Sequence, residues 1–148
     1  MEPPMISREP IYAALFALVS GAAGFVTIDR RLRHWSDVTP AEQPALFQCQ
    51  VKEAAANRTL AAPTVWTLSV ELYLYAHSSD PYRAPATILN PLLDAVMQAL
   101  APDPVTGFQD LGLPAMVRHA FIAGRIETDE GVLGDQAIAI IPVEILCL

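Results

Sequence analysis

Charge is what this 148-residue chain has least of. Aspartate, glutamate, lysine and arginine make up 17% of it, where soluble proteins average about 25%, while 53% of its residues are hydrophobic. That leaves too little polar surface to clothe a monomer, and apolar surface in excess of a core generally meets another subunit. Lysine is scarcer still. Lys52 stands alone beside the arginines, and the formal net charge is −7. Such a balance argues against binding a phosphate backbone, which needs clustered basic side chains. The local exception is Arg30, Arg31 and Arg33, followed by His34 and Trp35. At the end of a strand, these read as an edge that is solvated or touches a subunit.

Cysteine is limited to Cys49 and Cys147, too few and too far apart for a disulfide framework or a zinc site. Each sits among apolar residues, as buried reduced thiols do. No glycine-rich phosphate loop is present, no serine lies in a G-x-S-x-G elbow, and His34, His77 and His119 are too scattered to share a metal at helical spacing. No cofactor, metal ligand or catalytic residue is therefore expected, and the chain reads as a non-enzyme. Long apolar runs are missing too. Residues 11–28 carry no charge, but Ser20, Gly21, Gly24 and Thr27 interrupt them, and Glu2 and Glu9 outweigh Arg8 in front. That pattern suits a core helix running into a strand, not a signal peptide or a membrane span.

What is present fits a single domain over residues 1–148. Ser7 is placed to cap a helix whose apolar residues Ile11, Leu15, Leu18, Val19 and Ala22 recur at helical spacing. Residues 25–32 and 45–51 read as strands, and 54–63 as an alanine-rich loop that is either a contact arm or a hairpin tip. The clearest strand is 64–76, where Trp66, Leu68, Val70, Leu72 and Leu74 alternate with Thr67, Ser69, Glu71, Tyr73 and Tyr75. A second helix follows, starting near Thr87 and reaching about residue 101, with Asn90, Asp94 and Gln98 as its single polar stripe. Residues 115–128 and 136–146 read as a closing hairpin, in which Pro142 marks an edge or a bulge. Two helices and about five strands make an α+β two-layer sandwich, with both helices on one face of a mostly antiparallel sheet. The other face is left for a partner or for water.

Two clusters stand out as candidates. Trp35 with Arg30, Arg31 and Arg33 has the composition of a subunit or partner contact, since aromatic and arginine side chains supply most interface hot spots, although packing of Trp35 over the domain's own edge explains it equally well. Glu127, Asp129, Glu130 and Asp135 form an acidic turn around Gly131 and Gly134. Their spacing is wrong for a calcium loop, so they read as a solvated turn and not as a hard-cation site.

Several stretches together resemble tail terminator, or tail completion, proteins of long-tailed bacteriophages, which are similar in fold to the minor tail protein U of lambda-like phages. They are residues 85–104, 126–137 and the 140–142 strand, with the opening 8–16 and the run 30–35. The resemblance covers most of the chain but contains no chemical motif. It implies a homo-hexameric ring that caps the tail tube, stops its polymerisation and offers the surface to which head-completion or connector proteins attach. It also implies a virion location after assembly in the host cytoplasm, partners that include the tail tube protein, and DNA passing through without specific binding. In such a ring the acidic turn is a candidate lining of the lumen. Another neck component, a tube subunit, and a small-molecule-binding domain of a different class remain open on the sequence.

Overall fold

A computed structural model describes residues 6–57, 59–60, 64–132 and 134–148. Helix α1 spans Arg8–Val19 and α2 spans Ala86–Ala99. The strands are β1 (Thr27–Asp29), β2 (Ala45–Ala56), β3 (Val65–His77), β4 (Val117–Ile122), β5 (Glu127–Glu130) and β6 (Gln136–Cys147). They form one sheet in the order β1-β2-β3-β6-β4, with β5 pairing beside β4 along β6. All pairings are antiparallel except β1 with β2. The α+β sandwich read from the sequence is the observed fold, with six strands.

Alternation decides which side each strand buries. On β3, Leu68, Val70, Leu72 and Leu74 point to one face, and on β6 Ala139, Ile141, Val143 and Ile145 pack beside them. Both helices lie on that face. Ile11, Tyr12, Leu15 and Val19 of α1, and Leu89, Leu92 and Val96 of α2, close the core. The polar stripe Asn90, Asp94 and Gln98 is exposed, as the period of α2 requires. At the margin of this core Glu53 accepts hydrogen bonds from Arg8 Nε at 2.8 Å and from the Tyr12 hydroxyl at 2.9 Å, which ties α1 to β2.

Parallel neighbours need a crossover. Here the chain leaves β1 at Asp29, crosses the face opposite the helices and returns through two short 3-10 turns, Trp35–Asp37 and Pro40–Glu42, into β2. Strand β1 is consequently shorter than residues 25–32. Strand β2 is longer than expected, because Ala54, Ala55 and Ala56 find ladder partners in Thr67, Trp66 and Val65. The remainder of the alanine-rich segment, at 58 and 61–63, lies outside the described residues.

The strand expected over 115–128 is broken. Ile122 pairs with Val143 and Glu127 with Ile140, so four residues, 123–126, stand opposite two. Pro142 explains the break. It has no N–H to give, and only its carbonyl is used on that side, accepting from Ala123 N–H at 3.1 Å. Gly124 takes φ +98 beside the proline ring, a conformation other residues rarely adopt. Strand β6 itself is neither an edge nor bulged, since its register with β3 runs unbroken through Glu71 and Pro142; the proline marks a break between its partners β4 and β5.

Candidate assembly surface

The crossover covers only part of the second sheet face. Val38, Ala45, Phe47 and Tyr75 form a small buried cluster there, with Trp35, Tyr73 and Ile138 packed against it. Two hydrogen bonds hold the crossover down, Tyr75 hydroxyl to the Arg33 carbonyl at 2.8 Å and Gln136 Nε2 to the Trp35 carbonyl at 3.1 Å, and a third, Gln43 Nε2 to the Val38 carbonyl at 3.0 Å, braces it internally. Burial pushes the Tyr75 phenol above its ordinary pKa, so it remains a donor. The Tyr73 phenol is also pushed up, first by its 2.7 Å hydrogen bond to Glu71 and then by desolvation.

Between the crossover and the bare strands runs an apolar groove of about 410 Å³, whose walls include Arg33, Trp35, Tyr73, Ile138 and Ile140. Beyond it Ser69, Glu71, Pro142, Glu144 and Leu146 share the same face and are half-buried, the first four bordered by Lys52, Gly124 and Arg125. At the far edge His119 stacks on Phe121 at 5.0 Å and meets Phe108 edge-on at 5.4 Å.

Of the basic cluster, Trp35 and Arg33 belong to the groove. Arg33 reaches Glu42 at 2.6 Å and stands 5.8 Å from the Phe47 ring centroid, and that contact holds the Glu42 carboxyl below the usual range. Arg30 turns away to pair with Glu9 at the start of α1, lowering the Glu9 pKa, and the Arg31 side chain is exposed. The acidic cluster divides as well. Glu127 and Asp129 lie opposite Ile140 and Ile138, hence on the uncovered face, along the far side of the groove. Glu130 points to the helical layer, where its carboxylate accepts the first N–H of α2, that of Ala86, at 3.3 Å. Asp129 closes the hairpin turn by accepting Val132 N–H at 3.0 Å. Asp135 is exposed, and its carbonyl accepts Ser78 N–H at 2.7 Å.

The sequence had not marked Tyr73, Tyr75, Ile138 and Ile140 as site residues. The signal was in β6, where Ile138 and Ile140 interleave with buried Ala137, Ala139 and Ile141, making both faces apolar. A strand that is apolar on both faces expects to be covered on both. Among the described residues no group of three or more His, Cys, Asp or Glu side chains is placed to hold a metal ion, and no helix is long and apolar enough to cross a membrane.

No family model matches the chain, and no curated protein sequence matches it. Among solved structures, it superposes on a chain of the virion of the native gene transfer agent (GTA) particle with a TM-score of 0.58, at 10% identity, over 93% of this chain and 93% of that one. At that identity the likeness shows a shared fold, and it extends over nearly the whole of both chains.

Proposed function

We propose that this chain is a structural virion protein that assembles into a ring at the head-proximal end of a phage tail tube, ends tube growth there and presents the surface for head attachment. The observation that supports this most is the end-to-end superposition on a virion chain. It agrees with the resemblance of residues 85–104 and 126–137 to tail terminators. A ring of identical subunits needs heterologous contacts, in which one patch meets a different patch on the next copy. The uncovered sheet face, apolar in the groove and mixed beyond it, supplies one such patch. Binding and shape carry out this function without bond chemistry.

In this reading Trp35 and Arg33 take part in a subunit or partner contact, and the acidic residues that share the uncovered face, Glu127 and Asp129, border the DNA path. Carboxylates there repel phosphates, so DNA passes without being held. The test is to mix the purified protein with tail tube subunits and image the product. Closed rings on tubes of finite length support the terminator reading. Growth of a tube from this chain alone would make it a tube subunit, and a monomer with no effect on tube length would overturn the proposal. Lysine at 127 and 129 is expected to leave rings intact and to make genome ejection slow or salt-dependent, whereas normal ejection from particles carrying that ring would remove these residues from the lumen.

A further inference from the structure

We draw no further inference here: the strongest candidate, the apolar groove between the crossover at Trp35 and the open face of β6 at Ile138 and Ile140, belongs to the assembly surface already described, and nothing in the structure shows what covers it.

Discussion

The two faces of the sheet are written by the same alternation and end differently. On the helical face, Leu68, Leu72, Leu74, Ile141 and Ile145 are each 0% exposed, sealed by α1 and α2. On the opposite face their neighbours Tyr73, Ile138, Ile140 and Leu146 are half-buried, and the crossover around Trp35 packs against Tyr73 and Ile138. Strand β6 shows the contrast residue by residue, since Ile141 is sealed and Ile140 is not. Apolar side chains on a face that the chain itself only partly covers are the counterpart of the charge deficit in the composition. One face holds the domain together, and in the reading proposed above the other meets a partner.

Substitutions sharpen that contrast. Leu72→Ala removes a fully buried side chain from between two packed layers and should cost about 2–5 kcal/mol of unfolding free energy. Ile140→Ala on the open face should cost about 1 kcal/mol, half the burial giving a correspondingly smaller loss. Paired urea denaturations check both, and equal costs would mean that the two faces are equally part of the core. Trp35→Ala is expected to do the reverse of Leu72→Ala, weakening association by about 2 kcal/mol, as loss of an aromatic anchor does, while lowering stability by less. Melting and sedimentation on the same samples separate those effects; a lower melting point with unchanged assembly of the folded fraction would make Trp35 a core residue only.

Tyr75→Phe deletes the hydrogen bond that pins the Arg33 carbonyl and should cost about 1 kcal/mol. Faster amide exchange limited to the crossover, at 30–44, would show that this bond fixes the groove wall. The smallest effect is the pH dependence that Glu53 contributes. Arg8 holds its carboxyl below the ordinary carboxylate range, helped by Tyr12 and against desolvation. The unfolded chain therefore binds this proton more readily, and the contribution is complete above the ordinary glutamate value of about 4.3. It is lost as pH falls through the folded value. Glu53→Gln should flatten the acid limb of the stability profile slightly, measured by denaturation between about pH 3 and 6.

The helical face was legible in the sequence because one signal, alternation against a helical period, governs all of it. Leu68 to Leu74 and the stripe Asn90, Asp94, Gln98 fall where periodicity puts them. The open face was less legible, because what shapes it is not periodic. Strand β1 ends at Asp29 because the following residues must cross the sheet to reach a parallel neighbour, and local propensity at Arg30 to Arg33 carries no trace of that. Ala54 to Ala56 are strand only because Val65 to Thr67 come alongside. The proline at 142 pointed to an edge or a bulge in its own strand, but β6 is interior and regular there, and the irregularity lies in the partner, at 123–126. Composition singled out Trp35 and Arg33, and both line the groove. Arg30 and Glu130 share that composition, yet an ion pair to Glu9 and a helix terminus claim them, and both depend on tertiary placement.

The central claim is that the uncovered face is an assembly surface, and the mass of the assembled protein tests it most directly. Native mass spectrometry of the full chain, alone and with tail tube subunits, should show a closed species at six times the 16.0 kDa chain mass, lost when Ile140→Asp places a charge in the groove. A chain that remains at its monomer mass at every concentration with tube subunits present, or an Ile140→Asp variant that assembles as the wild type does, would contradict the account.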